Sequence, residues 1–224
     1  MLPAISIIGG TGAEGSGLAL RWVYAGYPVT IGSRSVDKAL SKTAELNIRI
    51  PDQKNQLVGK DNLGAAKECQ IAVLTVPYSA HRETLLDLKE LLQGKVLVDV
   101  TVPLMPPKVD YVHLPPGGAA GLEAQEILGP DVRVVSAFQN ISAAHLRDLD
   151  RDIDCDVLIC GNDTMACEEV ITLVEAAGMS GLHAGSLVNA IAIESLTPVL
   201  ISLNKHYRIK DAGIRVTGIS RSEK

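Results

Sequence analysis

Residues 4–15, Ala-Ile-Ser-Ile-Ile-Gly-Gly-Thr-Gly-Ala-Glu-Gly, join a short apolar run to a glycine-rich turn. An apolar run of this length is typical of a strand buried on both faces of a parallel sheet. The chain that follows has the apolar spacing of a helix, and Gly26 marks the end of that helix. A strand, a glycine-rich turn and a helix in this order predict a Rossmann-type dinucleotide-binding unit.

The glycines have the spacing of a pyrophosphate-binding turn. Gly10 permits the tight turn, Gly12 lets the backbone approach the pyrophosphate, and Gly15 allows the helix to pack against the strand. Free amides at the start of the helix then bind the phosphate charge. We therefore predict a cofactor site formed by Gly10, Thr11, Gly12, Ala13, Glu14 and Gly15.

A second interpretation of the same turn uses Gly9, Gly12 and Gly15, which fit the spacing of the short-chain dehydrogenases. That family requires a tyrosine followed four residues later by a lysine. None of the five tyrosines in this chain has a lysine at that position, so the short-chain dehydrogenase interpretation is disfavoured.

The second predicted strand, residues 28–32, is followed by Ser33, Arg34 and Ser35. NAD enzymes place an acidic residue here to bind the 2′-hydroxyl of the adenine ribose. A guanidinium and hydroxyls instead match a 2′-phosphate, which a carboxylate would repel. We therefore predict NADP(H) rather than NAD(H), with Ser33 and Arg34 as ligands and Lys38 as a further cation one helical turn away.

Further strands are predicted at 56–58, 71–76, 96–100, 132–137 and 156–160, with helices between most of them. This alternation predicts an α/β fold with a Rossmann-type, doubly wound, mostly parallel sheet and a small C-terminal helical or α+β domain. The expected domains are residues 1–140 for NADP binding and 141–224 for the substrate cleft and oligomer interface. Residues 103–121, rich in proline and glycine, are expected to form a loop or lid. The apolar segment 186–207 is expected to be a buried or interface helix with a kink at Pro198.

In a parallel sheet, the residues that follow each strand lie at one edge. Thr75, Val76 and Pro77 end the strand at 71–76, and Ala137 ends the strand at 132–137. Thr75, Val76 and Pro77 are therefore expected beside the nicotinamide half of the cofactor, and Ala137 is expected to bind the cofactor as well.

Composition narrows the class of partner. The net charge of -5 argues against nucleic-acid binding. With no signal peptide and no apolar run of about 18 residues, a cytoplasmic protein without a membrane span is expected.

The four cysteines lack zinc-site spacing and are predicted to be reduced core residues. No metal site is predicted among the histidines. His113 and His145 could donate to a substrate carbonyl.

Several motifs together resemble one family. They are Gly9-Gly10-Thr11-Gly12, Gly32-Ser33-Arg34, Asp154-Cys155-Asp156-Val157, Cys160-Gly161-Asn162-Asp163, Ala184-Gly185 and Glu194-Ser195-Leu196-Thr197-Pro198. In this order and spacing they are similar to the NADPH-dependent coenzyme F420 reductases, over nearly the whole chain. Archaeal members carry His-Thr-Ile-Pro where this chain has residues 139–142, and Arg where it has Ile191, whereas bacterial relatives resemble this chain.

The resemblance implies hydride transfer between C4 of the nicotinamide and C5 of the deazaflavin coenzyme F420, in a homodimer or higher homo-oligomer. No catalytic acid or base is expected, because the cofactors carry the chemistry. The hydride path is expected to be lined by Val76, Pro77, Gln139, Asn140, Ile141 and Thr197. Two alternatives stay open: an NADP-dependent reductase of a small imine or carbonyl compound, and an NADP(H) sensor without turnover.

Overall fold

The structure, a computed structural model, describes residues 1–219. Its strands form one eight-stranded sheet in the order β3-β2-β1-β4-β5-β6-β7-β8, and only β6 and β7 pair antiparallel. The strands are β1 (Ile5–Ile8), β2 (Val29–Ser33), β3 (Val58–Asp61), β4 (Ile71–Leu74), β5 (Val96–Asp99), β6 (Arg133–Ser136), β7 (Asp156–Gly161) and β8 (Ser180–His183). The order 3-2-1-4-5-6 is that of a Rossmann sheet, which confirms the predicted fold class.

Helices cover both faces of this sheet. They are α1 (Ala13–Tyr24), α2 (Val36–Asn47), α3 (Asn62–Glu68), α4 (Tyr78–Leu92), α5 (Ala120–Leu128), α6 (Ala143–Leu146), α7 (Thr164–Ala176) and α8 (Ala190–Tyr207). Helices α1, α2 and α7 bury their apolar sides in one core, and α3, α4, α5 and the start of α8 bury theirs in the other. Alternate residues of one strand therefore serve different cores: Ile71 and Val73 of β4 face the first, and Ala72 and Leu74 face the second.

The sheet runs across the predicted domain boundary at residue 140. Val135 and Ser136 of β6 pair with Gly161 and Cys160 of β7, so strands from both sides share hydrogen bonds. The division at residue 140 stays a prediction, and residues 220–224 of the second predicted domain lie outside the described residues.

Arg21, buried on α1, binds the chain between β6 and β7 to the first core. Its guanidinium donates to backbone carbonyl oxygens of residues 145, 146, 148, 151 and 177. A charged group that replaces its water shell by five carbonyl contacts can be buried without a carboxylate partner. Residues 145–151 are therefore fixed against α1 despite having little regular structure.

Helix α8 is half-buried rather than fully buried. Ile193, Glu194 and Leu200 face the protein, whereas Val199 and Leu203 are exposed.

The segment Leu187–Tyr207 has a mean hydropathy of 1.5 and is long and apolar enough to cross a membrane by length and composition. The expectation that no apolar stretch of the chain reaches that length was therefore wrong. The same test is passed by core helices of proteins without a membrane span, and Glu194 lies in this segment with its carboxylate bound to the start of α5.

The four cysteines are free thiols and all are buried, as the sequence predicts. Cys155 accepts a hydrogen bond at Sγ from the amide of Ile214, 3.3 Å away. This contact attaches the C-terminal segment of the described chain to the start of β7.

Candidate functional site

A cavity of about 540 Å³ runs along the edge of the sheet where β1, β2, β4, β5 and β6 end. Parallel strands bring their carboxyl ends to this edge, which is where α/β proteins bind their ligands. The cavity is lined by Gly9, Thr11, Gly12, Glu14, Ser33, Arg34, Ser35, Lys38, Asn62, Thr75, Val76, Pro77, Tyr78, Ala80, Thr84, Val100, Thr101, Val102, Leu104, Gln139, Ile141 and Thr197.

The three glycines of the turn differ in the space around them. A Cβ on Gly10 would lie 2.8 Å from the carbonyl oxygen of Ile7, and one on Gly15 would lie 2.6 Å from Oγ1 of Thr75. A Cβ on Gly12 would meet nothing within 4 Å. Gly10 and Gly15 are therefore needed for packing, whereas Gly12 leaves room at the start of α1, as a pyrophosphate requires.

Glu14 lies in the wall of the cavity in the first turn of α1. Burial raises the pKa of its carboxyl to about 8, from an ordinary value near 4.5. At neutral pH the protonated form is therefore favoured, and a neutral carboxyl beside the turn does not repel a phosphate.

The end of the cavity at β2 is positively charged. The side chains of Arg34 and Lys38 are exposed at the cavity wall, and within residues 1–219 neither forms an ion pair or a side-chain hydrogen bond. Oγ of Ser33 accepts from the amide of Ser35 and also faces the cavity. Two unpaired cations and two serines on one wall fit a phosphate dianion.

Asn62 supports this end of the cavity and was not predicted from the sequence. Its Oδ1 accepts a hydrogen bond of 3.2 Å from the amide of Gly9, which adopts a positive φ of 72°. The only signal was its position after a short strand, in the first turn of a helix capped by Asp61. Its contact with the glycine-rich turn is long-range and therefore invisible in the local sequence.

The middle of the cavity is formed by the residues after β4. Oγ1 of Thr75 donates to the carbonyl oxygen of Ile8 at 3.1 Å, which joins the ends of β4 and β1. Tyr78 follows at the start of α4 and donates its hydroxyl to Glu123 at 2.8 Å. Burial and the hydrogen bond to Glu123 raise the pKa of Tyr78 to about 12, so this hydroxyl stays protonated.

At the far end, the chain after β6 contacts α8. Phe138 has a φ of 75°, unusual for a residue with a side chain, and its ring packs edge-on against Trp22 at a centroid distance of 5.8 Å. This turn brings Gln139 to the cavity wall, where its carbonyl oxygen accepts a 2.6 Å hydrogen bond from Oγ1 of Thr197. The hydroxyl thereby fixes α8 to the loop after β6.

A buried ionic pair lies under this end of the cavity. Nε2 of His81 on α4 is 2.7 Å from Oδ2 of Asp99 at the end of β5. Burial lowers the pKa of His81, but the Asp99 carboxylate, together with Glu123 and Glu194, outweighs burial and the net shift is upward. Oδ1 of Asp99 also accepts from the backbone amide of Thr101. The backbone carbonyl oxygen of Asp99 accepts from the side chain of Gln139.

Most of the predicted site residues line this one cavity. They are Thr11, Gly12, Glu14, Ser33, Arg34, Lys38, Thr75, Val76, Pro77, Gln139, Ile141 and Thr197. Gly10, Ala13, Gly15, Ala137 and Asn140 are not part of its wall. The side chain of Asn140 points elsewhere, because its Nδ2 donates to the carbonyl oxygen of Asp156 at 2.7 Å.

Beyond Asn62, the residues that sequence reasoning missed are mainly those after β5. Val100, Thr101, Val102 and Leu104 all line the cavity. Their signal was the same as that of Thr75–Pro77, a position after a parallel strand. The proline-rich stretch that begins at Pro103 was instead predicted to form a loop or lid. The loop itself packs on α8, where Lys205 pairs with Asp110 at 2.7 Å.

The three other side chains singled out from the sequence do not line this cavity. His113 and Ile191 line a small crevice between the loop and α8. His145 is 3.3 Å from the carboxylate of Asp211. None of the three is part of the 540 Å³ cavity.

The donor set fits NADP(H). The glycine turn with open space at Gly12 suits the pyrophosphate, and the cations at the β2 end suit the 2′-phosphate. The largely apolar far end suits the nicotinamide. Within residues 1–219, no group of three or more His, Cys, Asp or Glu residues is arranged to hold a metal ion.

Comparisons with known proteins give a consistent result. A family model described as NADP oxidoreductase, coenzyme F420-dependent, matches residues 4–103. The F420-dependent NADP reductase of Methanothermobacter marburgensis is 42% identical over 221 residues, which cover 96% of this chain and 98% of that protein. The enzyme of the same name from Methanocaldococcus jannaschii is 39% identical over the same shares. A solved structure from Arthrobacter sp. FB24, described as a candidate F420-dependent NADP reductase, superposes with a TM-score of 0.79 at 25% identity and covers 96% of this chain and 99% of that one.

Proposed function

Because this chain belongs to the family of coenzyme F420-dependent NADP oxidoreductases, we propose that it transfers a hydride between NADP(H) and the deazaflavin coenzyme F420. When both are bound, C4 of the nicotinamide ring and C5 of the deazaflavin ring are the carbons between which the hydride would pass. The observation that carries the proposal is the continuous cavity that extends from Arg34 to Thr197 on α8, past the glycine turn.

The residues of the chain act by binding and orientation. Arg34, Lys38 and Ser33 would hold the 2′-phosphate, and the amides after Gly12 would hold the pyrophosphate. Thr75, Val76 and Pro77 would lie beside the nicotinamide half, since this half binds beyond the crossover in the strand order, at the ends of β4 and β5. Gly10, Ala13, Gly15 and Ala137 would then support the turn and the sheet edge from behind the wall.

The far wall would receive two stacked rings, the nicotinamide and the deazaflavin. This wall is lined by Val76, Pro77, Gln139, Ile141 and Thr197. Asn140 would contribute by fixing the loop after β6, through its hydrogen bond to Asp156. Direct transfer between two ring carbons needs them about 3 to 3.5 Å apart in a dry site. The apolar side chains of this wall exclude water, and no acid or base on the protein is required.

We further propose that the protein is a cytoplasmic homodimer or higher homo-oligomer without affinity for nucleic acid or membranes. Ala192, Val199 and Leu203 are exposed and form an apolar stripe on α8, because residues four or seven positions apart share one face of a helix. An exposed apolar stripe supports a contact between copies of the chain. Multi-angle light scattering on the purified protein would give the subunit number. A Leu203→Glu variant should lower it, and an unchanged mass would place the interface elsewhere.

The function is tested by mixing the purified protein with NADPH and oxidised F420 and following the deazaflavin absorbance band. We expect bleaching that depends on NADPH and that NADH supports poorly. Parallel reactions with a cyclic imine and with a simple ketone address the reductase alternative, and binding without turnover of any acceptor addresses the sensor. The curated relatives favour neither alternative. Oxidation of NADPH by the imine but not by F420 would contradict the proposal.

A further inference from the structure

Two polar side-chain atoms in the far wall of the cavity have no partner within the described chain. They are Oε1 of Gln139 and Oγ1 of Thr101, on residues that are 4% and 3% exposed. Both residues line the cavity. Leaving a buried polar group unpaired is unfavourable, so two of them on residues that line a ligand site indicate groups that the ligand satisfies.

The amide of Gln139 is oriented by its neighbours. Its Nε2 lies 2.8 Å from the carbonyl oxygen of Asp99 and 2.7 Å from Oγ of Ser136. A backbone carbonyl can only accept, so the nitrogen must face Asp99 and cannot exchange places with the oxygen. Oε1 is therefore an acceptor of fixed orientation on a residue that lines the cavity.

Thr101 offers the complementary group. Its backbone amide donates to Oδ1 of Asp99 at 3.0 Å, so both residues are attached to the same buried residue. Its hydroxyl bonds to no atom of the described chain, Gln139 included. The hydroxyl can donate, so a donor and an acceptor without partners in the described chain lie on two residues that follow the neighbouring strands β5 and β6 and line the same cavity.

An acceptor beside a donor matches the edge of an amide, which carries an N–H and a carbonyl oxygen. We propose that Gln139 and Thr101 bind the carboxamide of the nicotinamide ring, with Oε1 of Gln139 accepting from the amide nitrogen and Oγ1 of Thr101 donating to the amide oxygen. Thr101 directly follows β5, in the half of the sheet that binds nicotinamide in this type of fold. Two bonds to a substituent of the ring fix its rotation, and with it the ring face that points along the hydride path.

This inference rests on the NADP(H) part of the proposed function only. It needs no F420, so its test is an equilibrium titration of the protein with NADPH and with the reduced 3-acetylpyridine analogue. In the analogue a methyl group replaces the amide nitrogen and the carbonyl is kept. The wild-type protein should bind NADPH about 5- to 30-fold more tightly than the analogue, because the analogue leaves Oε1 of Gln139 unpaired.

Two variants separate the two bonds. Gln139→Leu should bind both ligands with equal affinity, because its acceptor is gone. Thr101→Val keeps the shape of the side chain and should weaken both ligands by the same factor, about 3- to 10-fold, with the preference for NADPH unchanged. Binding of 2′,5′-ADP, which has no nicotinamide, should be the same in all three proteins and reports that the rest of the site is intact.

Two results would overturn the inference: a wild-type protein that binds NADPH and the analogue equally, or a Gln139→Leu protein that keeps the preference. An unchanged NADPH affinity in Gln139→Leu with a raised KM for F420 would assign the pair to the deazaflavin ring instead. If Gln139→Leu fails to fold, the wild-type ratio together with Thr101→Val decides. Preference for NADPH without F420 reduction would leave this inference standing and contradict the proposed function.

Discussion

Nε2 of His81 lies 2.7 Å from Oδ2 of Asp99, with both side chains buried. The pair links α4 to the end of β5 directly beneath the residues that line the far end of the cavity. Asp99 also accepts from the backbone amide of Thr101 and, through its own backbone carbonyl, from the side chain of Gln139, so the pair holds the residue to which both are bonded. Its loss should therefore be measurable both in stability and in the site.

Replacing His81 by Leu should lower the free energy of unfolding by about 3 kcal/mol or more, since it leaves the Asp99 carboxylate buried without its partner. NADPH affinity should fall as well, because Thr101 and Gln139 lose their common support. Chemical denaturation and NADPH titration of the same preparation measure the two effects. Wild-type stability in the variant would mean that the pair contributes nothing to the fold.

The pair should also make stability depend on pH. Because the pKa of His81 in the folded protein is raised above its ordinary value, the stabilisation by the charged pair is complete below about pH 6.5, the ordinary value for histidine. It is lost as the pH rises through the folded-state pKa. The stability difference between the wild type and His81→Gln should thus be largest near pH 6 and smaller at pH 9. A constant difference over this range would show that His81 does not titrate there.

Glu194 should give a pH dependence of the same sign for a different reason. Burial raises the pKa of its carboxyl to about 8, although amides of Gly121 and Ala120 donate to it and oppose the shift. An acid whose folded-state pKa is raised stabilises the fold below its unfolded pKa, near 4.5, and loses that contribution up to about pH 8.

The stability advantage of the wild type over Glu194→Gln should therefore shrink between pH 5 and pH 8 and change little above pH 8. Unfolding curves at several pH values measure it, with Glu90→Gln, an exposed carboxylate on α4, as the matched control. A difference that grows with pH would show that the two amide donors outweigh burial.

The sequence was sufficient for most strands of the sheet, because these strands are short apolar runs between turn residues. β8 was missed since Ser180–His183 has a single large apolar residue and lies at the half-exposed edge of the sheet. The pyrophosphate turn and Arg34 were found because their chemistry is local: each follows a strand directly.

The far end of the cavity was found only in part, because it depends on contacts between distant residues. Nothing near Thr101 in the sequence indicates that Asp99 would bind it and Gln139 together. Asn140 was assigned to the cavity with Gln139 as its neighbour, but the positive φ of Phe138 and the hydrogen bond to Asp156 direct its side chain away. Backbone conformations of that kind leave no pattern in residue type.

The glycine turn offers a test that separates binding from folding. Gly12→Ala should leave the stability unchanged, because its added Cβ meets nothing within 4 Å and its φ of -70° suits alanine. It should weaken NADPH binding by about tenfold or more, since the methyl group occupies the approach of the pyrophosphate.

Gly15→Ala is the matched control and should lower the stability by about 1–3 kcal/mol, because its Cβ would lie 2.6 Å from Oγ1 of Thr75. Thermal unfolding with and without NADPH distinguishes the two variants. Equal NADPH affinity in Gly12→Ala and the wild type would mean that the pyrophosphate does not approach this turn.

Arg34→Ala tests the choice of dinucleotide. The guanidinium is exposed and unpaired within the described chain, so its removal should not affect the fold. A hydrogen bond to a charged group contributes about 1.5–3 kcal/mol, which corresponds to a rise of about 10- to 150-fold in the KM for NADPH. The KM for NADH, which has no 2′-phosphate, should change by less than about twofold.

Lys38→Ala should give a smaller effect of the same kind. Lys54→Ala is the control, because Lys54 is exposed and lies outside the cavity, and it should give no effect. Equal changes for NADPH and NADH in Arg34→Ala would contradict the 2′-phosphate assignment, because a residue that binds only that phosphate cannot affect a cofactor that lacks it.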